Sequence, residues 1–131
     1  MVKVQQDLPH KELTHQIIGA AMAVHSALGP GLEERTYENA LCLELAAQNL
    51  EFSQQDRFSV FYRKKVVGNL ITDLIVEGKV IVENKCADAI NEVHVAQALG
   101  YLNITKLEVA LILNFKTGSL TFRRVGTLQK S

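Results

Sequence analysis

The chain is poor in cysteine and proline and has no surplus of charge of either sign. Its 131 residues include two Cys, two Pro and eight Gly, and fourteen Lys plus Arg balance fourteen Asp plus Glu. Cys42 and Cys86 form neither a CxxC nor a metal-ligand spacing, which excludes a disulfide framework and a zinc module, and both read as reduced packing thiols. Scarce Pro and Gly exclude collagen-like and low-complexity composition, and 47% hydrophobic residues exclude a disordered chain. No apolar run approaches the roughly 18 to 20 residues of a spanning helix, so no membrane is expected as a partner. Met1 to Lys11 hold Asp7, Pro9 and two lysines without an apolar stretch. That does not read as a secretory signal, and the expected compartment is cytoplasmic. A net charge of zero weakens the simple electrostatic case for nucleic-acid binding without excluding it. Basic runs stand at Arg63-Lys64-Lys65 and Arg123-Arg124, and such runs are ordinarily solvated loop or strand residues.

The length suits one domain, residues 1–131, able to bury a core without metal or disulfide support. From His10 to Leu28, the residues Leu13, Ile17, Ile18, Ala21, Val24 and Leu28 recur at steps of three and four, which predicts an amphipathic helix. Gly29-Pro30-Gly31 stops it. Leu32 to Asn49 repeats the pattern through Leu41, Leu45 and Ala46, with Glu33 and Glu34 at the positive end of the helix dipole. Beyond Asn49 the period changes. Phe52 and the alternating Phe58, Val60 and Tyr62 predict a strand, and Val66 to Val76 with Lys79 to Cys86 predict an antiparallel hairpin turning at Glu77-Gly78. Asn91 to Ile104 returns to helical spacing, Leu107 to Phe115 has the character of a strand buried on both faces, and Ser119 to Val125 closes the chain as a last strand. The order ααβββαββ implies an α/β fold, a mixed β-sheet flanked by helices.

Chemistry concentrates in the hairpin. Asp73, Glu83 and Lys85 interrupt runs of Ile, Leu and Val, and Glu83 and Lys85, two apart, project from one face of their strand. Asp73 joins that face only if paired residue numbers sum to an even constant, which a three-residue loop gives and a two-residue turn does not; the longer loop is therefore expected. It would bring the carboxylates directly opposite or diagonal, roughly 5 to 8 Å apart at Cβ. Two carboxylates so placed suit Mg²⁺ or Mn²⁺, and a neighbouring lysine suits an attacking water and the charge that grows on a phosphate. The competing reading is an ordinary Glu83–Lys85 ion pair on an exposed sheet face. His25 reads as a satisfied core residue, and His94, one turn before Gln97, reaches toward the same edge. No Gly-rich phosphate loop or nucleophile elbow is present.

The segment Gly31-Leu32-Glu33-Glu34-Arg35-Thr36-Tyr37 reads GxxExxY. With the Gly-Pro-Gly stop before it, Asp73-Leu74-Ile75-Val76, the Val80 to Lys85 strand ending in ExK, His94 to Leu102 with Gln97 and Tyr101, and Leu113-Asn114-Phe115, the chain resembles the GxxExxY proteins of the PD-(D/E)xK nuclease superfamily. The resemblance implies a restriction-endonuclease-like αβββαβ core with an extra N-terminal helix. It implies Mg²⁺ or Mn²⁺, one or two ions, held by Asp73, Glu83 and Glu34, with Lys85 as the active-site lysine and Gln97 beside it. The function it implies is metal-dependent hydrolysis of DNA or RNA; a non-catalytic binding or regulatory module retaining the fold is the alternative. A homo-oligomer and a protein partner both stay open. Tyr37 reads as a core aromatic, and Glu34 as a carboxylate partnered by the metal site or Lys85, or else serving the helix dipole. Members of the family often have a leucine where this chain has Asn84, and Asn84 is expected to face away from Glu83 and Lys85.

Overall fold

A computed structural model describes residues 9–126. The reading of the first residues as lacking a secretory signal falls mostly on residues 1–8, outside that range. The elements are α1 (Lys11–Leu28), α2 (Glu34–Ala47), β1 (Phe52–Tyr62), β2 (Lys65–Val76), β3 (Val80–Lys85), α3 (Glu92–Thr105), β4 (Val109–Asn114) and β5 (Thr121–Gly126). From α2 to β4 this is the expected αβββαβ order, with α1 the additional N-terminal helix. Gly29 ends α1 at φ 70° and donates its N–H to the His25 carbonyl.

The strands form one sheet in the order β1-β2-β3-β4-β5, antiparallel except for β3 beside β4. That parallel pair is joined across the sheet by α3, since parallel neighbours need a long crossover. All six residues of β4 are buried, as the unbroken apolar run predicts. Strand alternation divides the core in two. Leu74, Val76, Val82, Leu111 and Leu113 pack with α1 and α2, whereas Ile75, Ile81, Ala110 and Ile112 pack with Ala98 and Leu102 of α3. The sheet is therefore covered on both faces.

Two expected core positions differ. Leu28 is 42% exposed and Ala46 lies on the surface, because α1 and α2 turn toward the sheet through Thr14, Ala20, Tyr37 and Cys42 instead. Tyr37 stacks on Phe115 at 4.6 Å, donates its hydroxyl to the Gly29 carbonyl at 2.5 Å and accepts from the Leu32 N–H at 3.1 Å. The GxxExxY tyrosine thus ties the interhelical turn to the core. His25 is buried against Phe115 with Nε2 2.9 Å from the Thr117 carbonyl, a satisfied core histidine. Among the described residues no helix is long and apolar enough to cross a membrane.

Candidate functional site

The β2–β3 turn decides where the carboxylates go. Val76 pairs with Val80, Ile75 with Ile81 and Leu74 with Val82, so the loop is the three residues Glu77, Gly78 and Lys79 and the register sum is even. Glu77 and Gly78 take φ 54° and 64°, and the Lys79 N–H closes on the Val76 carbonyl. Carried one step further, the register sets Asp73 against Glu83, as expected.

At that step the main-chain ladder stops and side chains replace it. The Asp73 N–H donates to Glu83 Oε2 at 3.0 Å, and the Asn84 N–H donates to Asp73 Oδ2 at 2.8 Å. Each carboxylate thereby locks the opposite strand with one oxygen. The other oxygen of each has no protein hydrogen-bond donor among the described residues. Glu83 is only 4% exposed, which rules out a solvated ion pair on a wet sheet face.

Burial and mutual charge act on both acids. Burial, then the negative charge of Asp73, pushes the Glu83 carboxyl from 4.5 up to about 8, against the Asp73 N–H and Lys85, which favour the ionised form. Asp73 is also raised, chiefly by burial. Two desolvated carboxylates side by side are what a divalent cation relieves.

Lys85, two residues beyond Glu83 on the same face, donates from Nζ to Gln97 Oε1 at 2.8 Å. Gln97 Nε2 in turn reaches the Tyr101 hydroxyl at 3.4 Å, one turn further along α3. Tyr101 lies close enough to the acids that, after burial, the charges of Glu83 and Asp73 raise its pKa. It belongs to the site's surroundings but was not among the expected site residues; the resemblance and its spacing from Gln97 were the available signals. His94, by contrast, spends Nδ1 on the Asn91 N–H while Asn91 Oδ1 accepts from the Val93 and His94 N–H groups, a capping box that starts α3.

Glu34 begins α2 and is exposed, and its partner is neither Lys85 nor the two acids. Oε2 accepts the Cys86 N–H at 3.1 Å, just past the end of β3. Its charge still contributes to raising Asp73. One turn on, Glu38 is 3% exposed and takes amide hydrogens from Gln54 at 2.7 Å and Gln55 at 3.1 Å, with Arg35 at 3.8 Å. Its charge bears on both Asp73 and Glu83. Nothing in the sequence pattern distinguishes it from a solvated helix glutamate except its i+4 spacing from Glu34. Among the described residues no three His, Cys, Asp or Glu side chains gather as a ready metal cage. The residues nonetheless fit a hard cation, because Asp73 and Glu83 offer two uncommitted carboxylate oxygens and a Mg²⁺ site ordinarily leaves several positions to water and phosphate.

On the other face, Asn84 is 1% exposed and points away from Glu83 and Lys85, as expected; neither its Oδ1 nor its Nδ2 has a partner within the protein. Thr72, which the same register sets opposite it, is buried with Oγ1 equally unpaired.

The family model described as the PD-(D/E)XK nuclease superfamily matches residues 11–125, nearly the whole described chain. Among solved structures, the crystal structure of SSO0001 is similar with a TM-score of 0.55 at 16% identity, over 92% of this chain and 60% of that one. This chain therefore spans less than two thirds of that protein, and the likeness concerns the fold. No curated protein matches the chain.

Proposed function

The chain belongs to the PD-(D/E)XK nuclease superfamily, and from that premise we propose that it is a divalent-metal-dependent phosphodiesterase acting on DNA or RNA. The observation that carries this reading is the exchange between Asp73 and Glu83: each anchors the other's strand with one oxygen and leaves the second free, in a buried setting that resists two negative charges. We assign residues 1–131 to one such domain, of the GxxExxY group.

Asp73 and Glu83 would hold Mg²⁺ or Mn²⁺. When bound, the cation supplies Lewis-acid polarisation of a phosphate oxygen. Lys85 Nζ, fixed by Gln97, orients the attacking water and stabilises the negative charge that grows on the phosphate. Tyr101 steadies Gln97 from one turn away. Glu34 supports the site by holding the main chain immediately after Lys85.

The test is hydrolysis of labelled single- and double-stranded DNA and RNA with Mg²⁺ or Mn²⁺. Lys85→Ala is expected to abolish cleavage while leaving thermal stability unchanged, because the Lys85–Gln97 bond is at the surface. Wild-type protein that binds metal yet cleaves none of these substrates would overturn the catalytic reading in favour of a binding module. Cleavage surviving in Lys85→Ala would overturn the role given to the lysine.

A further inference from the structure

The β1–β2 hairpin is longer than the rest of the sheet. Its strands run 11 and 12 residues, against six for each of β3, β4 and β5, and β3 pairs with β2 only from Leu74 to Val76, so the far end of the hairpin extends beyond β3. That end is apolar, aromatic and basic together. Phe61 is 64% exposed and Tyr62 66%, and across the turn Val66 and Val67 are 57% and 62% exposed. From Arg57 to Thr72 the chain carries Arg57, Arg63, Lys64 and Lys65 and no acidic residue, although the whole sequence is neutral. None of these four cations has an ion pair among the described residues.

The turn adds an independent observation. Tyr62 pairs with Lys65, so Arg63 and Lys64 are the two turn residues, at φ 50° and 66°. Such a turn favours Asn-Gly, and long side chains at positive φ are uncommon. Turn stability therefore does not account for two cations at these positions.

We propose that this tip is a contact for single-stranded nucleic acid, gripping the strand at a distance from the catalytic acids. The inference rests on the nuclease reading of the site for its geometry: β2 runs from the tip directly to Asp73. The eight steps from Lys65 to Asp73 span about 26 Å along the strand. Exposed rings flanked by cations are the composition of single-strand sites, in which bases stack on aromatic faces and the backbone meets Lys and Arg. A duplex hides its base faces and leaves the two rings without a role. A second copy of the chain would set four cations against four.

The experiment is fluorescence anisotropy of a labelled thymidine oligonucleotide in EDTA. A strand of about twelve nucleotides suffices, since even at the duplex spacing of about 3.4 Å per strand roughly eight cover the span. Phe61→Ala/Tyr62→Ala is expected to raise Kd at least about tenfold. Arg63→Asn/Lys64→Gly removes two cations while giving the turn its preferred residues; the slope of log affinity on log salt should fall by about 1.4 with Tm undiminished. The second variant keeps the test open should the first fold poorly. Unchanged Kd and salt slope would overturn the proposal. So would duplex bound more tightly than single strand, capture on anionic phosphatidylserine vesicles without oligonucleotide binding, or a tip variant that changes only the oligomeric state. Because binding is read in chelator, these failures are separate from a failure of metal binding or cleavage.

Discussion

Replacing Glu83 by Gln should make the metal-free protein more stable as the pH rises, relative to wild type. The Glu83 carboxyl sits at about 8 in the fold against 4.5 ordinarily, so the folded state holds its proton more tightly than the unfolded chain. A raised acid contributes its full stability below pH 4.5 and loses it as the pH climbs through 8. The shift corresponds to about 5 kcal/mol in all at 1.36 kcal/mol per unit, of which about 3 to 4 kcal/mol is lost between pH 5 and pH 8. Gln keeps the shape and an acceptor for the Asp73 N–H but cannot ionise. Urea denaturation in EDTA at pH 5, 6.5 and 8 reads the difference directly, and the advantage of Glu83→Gln should grow by that amount over the series. Mn²⁺ at about a hundredfold its Kd should then return about 2.7 kcal/mol to wild type at pH 8 and much less to the variant. A wild-type-minus-variant difference that is flat with pH would refute the reasoning, since it would mean that Glu83 titrates as a solvated carboxyl.

Asn84→Leu should stabilise the protein by about 1 to 3 kcal/mol, because it removes two buried polar atoms that have no protein partner, and thermal denaturation should show a higher Tm. A lower Tm would mean that the amide is satisfied in solution. Tyr37→Phe should cost about 1 to 3 kcal/mol by leaving the Gly29 carbonyl and Leu32 N–H without the hydroxyl, while hydrolysis measured on the folded fraction stays as in wild type. Loss of cleavage with stability intact would move the tyrosine from the core into the chemistry.

The pairing of Asp73 with Glu83 is legible in the sequence because strand geometry has only two parities, and only the even one puts both acids on a common face. The fully buried β4 is legible for a similar reason: its apolar run admits no wet side. Glu38 is hidden from such reading. Its burial depends on Gln54 and Gln55 arriving from β1, a contact between separate elements that periodicity does not encode. Glu34 shows the same limit differently. Its place on α2 is clear, but its partner is a main-chain N–H just past the end of β3, and backbone donors leave no mark in side-chain identity. His94 shares a helix with Gln97, yet the Asn91 cap before α3 commits its Nδ1. Tyr101 is marked by the family resemblance and by its spacing from Gln97, but its proximity to the acids emerges once α3 packs on the sheet.

The central claim is that Asp73 and Glu83 form a hard-cation site. Isothermal calorimetry of Mn²⁺ and Mg²⁺ with wild type and Asp73→Ala tests it without choosing a substrate. Saturable binding to wild type that disappears in Asp73→Ala is the predicted result. Equal binding by both proteins, or no binding by wild type with or without a non-hydrolysable oligonucleotide to complete the site, would contradict it.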